Sequence, residues 1–281
     1  MISAGLYVVA TPIGNLDDMS ARAVRILGEV NLILAEDSRH SAKLLQHFAI
    51  STPVQAFHEH NEQRLVIKII ERLKSNQSIA LISDAGTPLI NDPGYQLVVA
   101  AHEQGVRIIP VPGPSALISA LSVSGLPSDR FVYEGFLPNK KAARQKRLVE
   151  LAGEQRTLIF YEVPHRICVS LQDMVEIFGS GRIATLAKEI SKHFETIRKD
   201  SLAGSLQWLE EDPVRQKGEF VLIVHGATQD TADEMEAVRV LKILLRSLTV
   251  KAAASAAAEI LNDNKNRLYQ LALAINEQQD K

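Results

Sequence analysis

The sequence predicts an α/β protein: two consecutive α/β domains followed by a small C-terminal helical segment. Three observations predict it. Short apolar runs alternate with amphipathic stretches whose apolar residues recur at three and four. Three of the early runs end in glycine- and proline-rich loops, Thr11-Pro12-Ile13-Gly14-Asn15, Asp84-Ala85-Gly86-Thr87-Pro88 and Pro112-Gly113-Pro114-Ser115-Ala116. From Asp233 onward no strand candidate remains. In an open parallel sheet, ligands bind beyond the carboxyl ends of the strands, and small residues there let a ligand approach backbone amides. The pattern predicts a small-molecule site.

In chain order, strands are expected at 6–10, 32–36, 54–57, 79–83 and 107–111, because each is a short, strongly apolar run bounded by turn residues. Helices are expected between them at 20–27, 41–48, 63–73 and 95–103, which completes an N-terminal domain over 1–114. A small-residue helix at 116–124 opens a second domain over 115–228. Its strands are expected at 130–134, 157–162, 182–187 and 220–225, its helices at 142–151 and 167–178, and a hairpin within 191–204. Residues 226–231 read as a linker. Ala-, Leu- and Lys-rich helical patterns at 235–247, 250–261 and 266–275 then form a helix-turn-helix-like appendage over 233–281.

A chain of 281 residues with 46% hydrophobic and 23% charged residues can bury a large core. No basic segment followed by a long apolar stretch opens it, so neither a signal peptide nor a membrane span is expected, and the expected location is the cytoplasm. The single cysteine, Cys168, rules out an internal disulfide and a cysteine-based zinc cluster, and is expected to be a packed side chain. A formal net charge of -2 does not mark the whole molecule as a nucleic-acid binder, so any such binding must come from local patches.

Several familiar motifs are missing. There is no Gly-x-x-x-x-Gly-Lys-Ser/Thr, which argues against a P-loop nucleotidase. Gly179-Ser180-Gly181-Arg182-Ile183-Ala184 has dinucleotide-type glycines, but it follows a helix and precedes a strand, the reverse of the required context, and reads as a helix-ending turn. His58-Glu59-His60 lacks the i, i+4 spacing of a metalloprotease helix, and no metal is expected.

Seven segments occur in order: residues 6–15, Ala35-Glu36-Asp37-Ser38-Arg39, 83–88 with Asp92-Pro93-Gly94, 111–116, Phe160-Tyr161-Glu162-Val163-Pro164-His165-Arg166, Ala187-Lys188-Glu189 and Gly218-Glu219-Phe220. Together they identify a chain that resembles, nearly end to end, the ribosomal-RNA-methylating branch of the tetrapyrrole methylase superfamily, the class III S-adenosylmethionine-dependent methyltransferases. The resemblance implies a homodimeric enzyme that uses S-adenosylmethionine to methylate the 2′-hydroxyl of a cytidine in small-subunit (16S) ribosomal RNA, free or in the assembled subunit. It implies a cofactor cleft between the two α/β domains. Carried over by position, the cofactor loops fall on Asp84, Ala85, Gly86, Thr87 and Pro88, on Ser115 and Ala116, on Tyr161 and Glu162, on Ala187 and Lys188, and on Gly218, Glu219 and Phe220. Thr11 and Pro12 stand where the tetrapyrrole enzymes have a more glycine-rich first loop, which leaves open whether this loop meets cofactor, acceptor or both.

A ribose hydroxyl is a poor nucleophile while protonated, so a base within hydrogen-bond reach is required. Candidates stand at the open ends of strands: Glu36 and Asp37, then His60 within His58-Glu59-His60, and Lys188 with Glu189. Each has a structural alternative. Glu36 and Asp37 could cap the following helix, the histidines could be solvated loop residues, and Lys188 with Glu189 could form an ion pair.

RNA contact is expected from Lys140, Lys141, Arg144, Lys146 and Arg147, five cations around the start of one helix, and from Arg39. Lys251, Lys265 and Arg267 supply cations in the appendage, whose alternative role is dimer support. Base-stacking candidates are Tyr7, Phe57, Tyr133, Phe136 and Tyr161. Two other readings use the same residues: a tetrapyrrole C-methyltransferase, which has no need of a basic helical appendage, and a non-catalytic ribosome-assembly or RNA-binding factor, against which the intact cofactor loops count.

Overall fold

The apolar runs of the N-terminal part form five strands, β1 Gly5–Val9, β2 Leu32–Ala35, β3 Val54–Ala56, β4 Ser78–Ile82 and β5 Ile108–Val111, in a computed structural model that describes residues 2–279. Between them run α1 Ala21–Glu29, α2 Ser38–His47, α3 Glu59–Lys74 and α4 Tyr95–Glu103. The strands lie in the order β3-β2-β4-β1-β5, and β1 pairs in parallel with both β4 and β5 while β2 does so with β3 and β4. Side chains of successive strand residues point to opposite faces, so each strand feeds two cores. Tyr7, Val9, Ile33 and Ala80 pack with Ala23, Ile26 and Leu27 of α1. Leu6, Leu34, Ile79 and Leu81 pack on the other face with Leu65 and Ile69 of α3 and Leu97 of α4. Each such fully buried aliphatic side chain is worth about 1.5–3 kcal/mol.

That division places the site. The helix after β1 covers one face and the helix after β4 the other, so the two adjacent strands β1 and β4 flank a topological switch point, where the chain leaves a crevice at the carboxyl edge.

A second sheet has the order β6-β7-β10-β8-β9, from β6 Phe131–Phe136, β7 Thr157–Glu162, β8 Ile183–Lys188, β9 Thr196–Ser201 and β10 Phe220–Val224. Before it comes α5 Ala116–Val123, which belongs by its contacts to the first unit, and its own helices are α6 Lys141–Leu151, α7 Ile167–Phe178 and α8 Leu202–Glu210. β6 runs parallel to β7 with a register shift between Tyr133 and Gly135, and the extra residue, Glu134, is aimed at Arg147. α7 ends at Gly179, whose φ of 93° favours glycine, so the 179–184 motif is a helix-ending turn into β8.

The expected hairpin at 191–204 is corrected in detail. β8 and β9 are adjacent and joined by residues 189–195, too short for a parallel crossover, so they form the hairpin. Residues 202–210 are the unexpected helix α8, capped by the Ser201 hydroxyl accepting from the Gly204 amide and packed on α7, with Leu202 and Leu209 buried.

The last helices are α9 Gln229–Leu244, α10 Val250–Leu261 and α11 Lys265–Gln279. α9 starts inside the expected linker because the Thr228 hydroxyl accepts the Thr231 amide. Ala253, Ala254 and Ala257 pack fully buried against Leu241, Leu268 and Ala272, and their small side chains let the helices approach closely. Among the described residues no helix is long and apolar enough to cross a membrane.

By its contacts the chain divides into two units. One comprises residues up to Val123 with Ala187–Ile197 and Gly218–Val221; the other comprises Ser124–Leu186, Arg198–Lys217 and the chain from Leu222 onward.

Arg144, grouped by sequence with the RNA-facing cations, turns inward. It shares the i, i+4, i+7 stripe of Leu148 and Leu151, and its Nε donates to Asp173 Oδ2 at 2.6 Å with both side chains buried. Gln145 donates to the other Asp173 oxygen at 2.9 Å. Removing one member of a buried pair strands the other charge. Arg144→Met is therefore expected to destabilise the protein by about 3 kcal/mol in denaturant melts, while a change confined to RNA affinity would contradict the pairing.

Candidate functional site

The three glycine- and proline-rich loops meet at the carboxyl edge of the first sheet, all within the first unit. Thr11 and Gly86 exchange backbone hydrogen bonds, Thr11 N–H to Gly86 O at 2.8 Å and Gly86 N–H to Thr11 O at 3.0 Å, which locks the loop after β1 to the loop after β4 across the switch point. The buried Thr11 hydroxyl donates to Ser83 O at 3.2 Å. Thr87 Oγ1 donates to Pro114 O at 3.0 Å, bringing in the loop after β5. The Asp37 amide donates to Asp84 Oδ1 at 3.1 Å, tying in the end of β2. Gly86 holds a φ of +83°, and a Cβ there would stand 3.4 Å from Ile13 Cγ2. Gly113 is equally confined, since a Cβ would lie 3.0 Å from that of Ala10.

The loop set is also electrostatically distinctive. The Glu36 carboxyl is pushed up to about 7 by burial and then by the negative charges of Asp92, Asp84, Glu59 and Asp37. Asp92 is pushed up to about 6 by burial, against a hydrogen bond from Ser83, with Asp84 adding to the rise. Asp37 behaves differently. The Arg39 amide, at 2.8 Å, holds it below the usual carboxylate range, and with the His40 amide it makes Asp37 the N-cap of α2. Leu89 and Asn91, on the same loop as Asp92, adopt positive φ of 71° and 68°. Non-glycine residues persist there only where the surroundings over-determine them.

Of the remaining base candidates, His60 is exposed on the first turn of α3, edge-on to His58 with ring centroids 5.9 Å apart. His58 is not a loop residue but the N-cap of α3, its amide donating to Asn61 Oδ1 at 2.9 Å. Lys188 is buried at the end of β8. Glu189, the next residue, accepts the Glu219 amide at 2.9 Å and the Lys192 ammonium at 3.1 Å, and these hold its carboxyl low against the opposing effect of burial. The sequence-derived loops at Ala187 and Lys188 and at Gly218, Glu219 and Phe220 thus come together, in the first unit with Thr11, Pro12, Ser115 and Ala116.

Tyr161 and Glu162 lie in the second unit. Tyr161 stacks edge-on with Tyr133 and Phe136, centroids 5.1 and 5.7 Å away. Glu162 is buried, accepting the Ser170 hydroxyl at 2.5 Å and lying 3.4 Å from Arg166 Nε. The stacking candidates Tyr7 and Phe57 are corrected: both are buried in the first unit's cores, Tyr7 with its hydroxyl donating to Ser3 O at 2.7 Å. Tyr7 lies on an inward-facing position of β1 and Phe57 is wholly buried just after β3, which leaves neither ring a free face for a base.

Among the sequence-predicted cations, Lys140, Lys141 and Lys146 are exposed at and near the start of α6. Arg147 is held by Glu134 and Glu150, at 2.7 and 2.8 Å. Arg39 is almost wholly exposed. Lys251 and Lys265 are exposed, whereas Arg267 pairs with Asp263 beside an acidic groove that also includes Asp230, Asp233, Glu234 and Glu236. Asp92 and Lys192 join the site without being candidates by sequence. Asp92 had one signal, its place in the Asp92-Pro93-Gly94 segment beside the Asp84 loop; Lys192 had none. Cys168 is partly buried, and burial pushes its thiol up.

Comparison with known proteins shows the family. The family model described as Tetrapyrrole (Corrin/Porphyrin) Methylases matches residues 5–205, and the model described as RsmI C-terminal HTH domain matches 231–276. The chain is 55% identical over 276 residues to Ribosomal RNA small subunit methyltransferase I of Pseudomonas aeruginosa, covering 97% of this chain and 98% of that one. It is 52% identical to the protein of the same name from Vibrio cholerae, over 95% of this chain and 94% of that one. Among solved structures, a uroporphyrin-III-C-methyltransferase from Thermus thermophilus is similar with a TM-score of 0.53 at 18% identity, covering 79% of this chain and 94% of that chain. A diphthine synthase is similar with a TM-score of 0.59 at 14% identity, over 82% and 95%. At those identities the structural likeness speaks to the fold.

Proposed function

The chain belongs to the tetrapyrrole methylase family and, within it, to the small-subunit ribosomal RNA methyltransferases, and we propose from this that it transfers a methyl group from S-adenosylmethionine to the ribose 2′-hydroxyl of a cytidine in 16S ribosomal RNA. The observation that carries the reading is the knitted loop set at the switch point, with a carboxyl titrating near neutrality at its edge.

The loop residues suit S-adenosylmethionine chemically. α5 begins at Ala116 directly after the Pro114-Ser115 turn, and the first amides of a helix lack intrahelical acceptors and favour a carboxylate. Asp84 offers a carboxylate to an ammonium or hydroxyls, and the small residues Ala85, Gly86, Ser115 and Ala116 permit close approach. Within the first unit, Ala187 and Lys188 with Gly218 to Phe220 extend the proposed binding set, and Thr11 with Pro12 holds it through the bridge to Gly86; the resemblance adds Tyr161 and Glu162. When bound, the cofactor supplies an electrophilic sulfonium methyl.

Glu36 is the proposed general base. It is the base candidate whose carboxyl is poised near operating pH, the condition under which a base is both deprotonated and strong enough to take a hydroxyl proton. Asp37 caps α2, and its amide fixes Asp84; its role is to hold the loops in place. Asp92 keeps Glu36 basic through its charge. Lys188, Glu189 and His60 are then not required as bases.

Lys140, Lys141, Lys146 and Arg39 are the proposed phosphate contacts, with Lys251 and Lys265 on the appendage; Arg147 and Arg267 are tied to carboxylates. Replacing Lys140, Lys141 and Lys146 together with glutamine is expected to lower the slope of log affinity against log salt by about 2–3 for ribosomal RNA. An unchanged slope would move the RNA surface elsewhere. The protein is further proposed to be a cytoplasmic homodimer, which light scattering tests.

The decisive assay offers labelled S-adenosylmethionine with small ribosomal subunits, extracted ribosomal RNA and uroporphyrinogen in parallel. Label recovered as 2′-O-methylcytidine is expected; label in the tetrapyrrole would overturn the substrate assignment.

A further inference from the structure

Lys192 has no part in the binding, catalytic or RNA roles above, yet its contacts join three loops of the first unit. Its aliphatic stem crosses Gly14 so closely that a Cβ there would fall 2.5 Å from Lys192 Cγ and 2.7 Å from Cε. Its ammonium donates to Glu189 Oε1 at 3.1 Å and to Glu219 Oε2 at 2.9 Å. Those two acids are themselves bound together, the Glu219 amide donating to Glu189 Oε1 at 2.9 Å and the Glu189 amide to Glu219 O at 3.0 Å. A fourth tie runs from the neighbouring residue, whose side chain, Ser191 Oγ, donates to the Asp18 carboxylate just beyond the first loop.

The backbone around this knot is strained. Glu189 and Ser191 hold positive φ of 51° and 66°. Gly218, at φ +97°, has no room for a side chain, because a Cβ would meet Glu189 Cγ at 2.5 Å. Such conformations cost free energy and persist where contacts enforce them. Exposed ion pairs contribute little, and the Glu219 carboxylate is largely exposed, but the Lys192 side chain is three-quarters covered, packed along its stem, and paired with a Glu189 side chain that is 17% exposed, so the pair with Glu189 is the better shielded of the two.

We propose that Lys192 is a positioning residue that clamps the loop 11–15 onto the loops at 187–189 and 218–220, completing the cofactor-binding set before the acceptor arrives. The glycine at position 14 follows from it, since the clamp passes where any side chain would stand. This inference rests on the reading of those loops as the S-adenosylmethionine site.

Lys192→Met keeps most of the stem over Gly14 and removes the charge, leaving Glu189 and Glu219 to repel each other. The expected result is a KM for S-adenosylmethionine and a Kd for S-adenosylhomocysteine raised about tenfold, the scale of a lost charge-assisted bond, with kcat on small ribosomal subunits changed less than about twofold. Lys192→Arg retains a cation able to bridge two carboxylates and is expected to recover most of the affinity. Gly14→Ala attacks the clamp from the other side with all its charges intact and is expected to weaken binding likewise. Lys68→Met, on exposed α3, controls for loss of one surface charge. Wild-type affinity in Lys192→Met, or equal loss in Lys192→Met and Lys192→Arg, would overturn the clamp. If the wild-type protein itself failed to bind S-adenosylhomocysteine, the reading of the loops would fall first, so the two failures are distinguishable.

Discussion

Replacing Glu36 with glutamine is expected to lower kcat for methyl transfer to small ribosomal subunits by about 10²–10⁴-fold, the usual contribution of a positioned base, and also to raise the melting temperature at pH 8. The two effects have one cause. The carboxyl is pushed from its ordinary value near 4.5 up to about 7 by burial and by Asp92, Asp84, Glu59 and Asp37. Between those values the folded protein holds a proton that the unfolded chain has released, so stability falls as pH rises through that window, and the loss is complete above about pH 7. Glutamine never ionises and removes the loss, at the sacrifice of the base. Stability given up at a site for the sake of activity is the expected signature of function.

The rate should follow the same carboxyl with the opposite sign. Only its ionised form accepts a proton, so wild-type kcat is expected to climb through about pH 7 and level off above it. A wild-type rate that is flat from pH 6 to 8, or a Glu36→Gln enzyme within a few-fold of wild type, would return the assignment to Lys188, Glu189 or His60. Asp92→Asn is a milder test. Removing the charge that contributes most to the rise in Glu36 should shift the rate profile toward acid without abolishing activity.

Gly86→Val is expected to weaken S-adenosylhomocysteine binding by about 100-fold or more, while affinity for a ribosomal RNA fragment stays within about twofold of wild type. Gly86 combines a φ of +83° with two backbone bonds to Thr11. A β-branched residue cannot hold that conformation without a strain of about 1–3 kcal/mol. The peptide will turn instead, and the bridge across the switch point will break. Asp84→Leu acts on the same assembly differently: it removes the acceptor of the Asp37 amide and so releases the end of β2 from the β4 loop. Calorimetry with S-adenosylhomocysteine and filter binding with labelled RNA measure the two affinities separately. Equal loss of both would end the proposed division between cofactor loops and basic surface.

Much of this architecture is legible along the chain, because its signals are local. β7 at Thr157–Glu162, α7 at Ile167–Phe178 and α10 at Val250–Leu261 have the boundaries that periodicity predicts. α8 was hidden because Gly204 and Ser205 interrupt its apolar spacing, and its cap and its packing on α7 outweigh that weak propensity. Arg144 carries two conflicting signals: the charge density around it favours phosphate, while the stripe it shares with Leu148 and Leu151 points inward, and the stripe prevails. Residue type makes Tyr7 and Phe57 stacking candidates but does not reveal burial, and both rings lie in the core.

The α/β class, the order of the elements, the family and the chemical kind of each loop at the carboxyl edge are written in residue type and in spacing within a few turns of chain. The proposed roles of the candidates rest on contacts made only in the folded chain. Glu36 is made basic by charges drawn from the ends of β2 and β4 and from α3, Asp37 is made a cap, and Lys192 is brought onto Gly14 from a distant stretch of the chain. Burial and Coulomb interaction depend on distances in space, and residues far apart in sequence acquire those distances only when the sheet places their loops side by side.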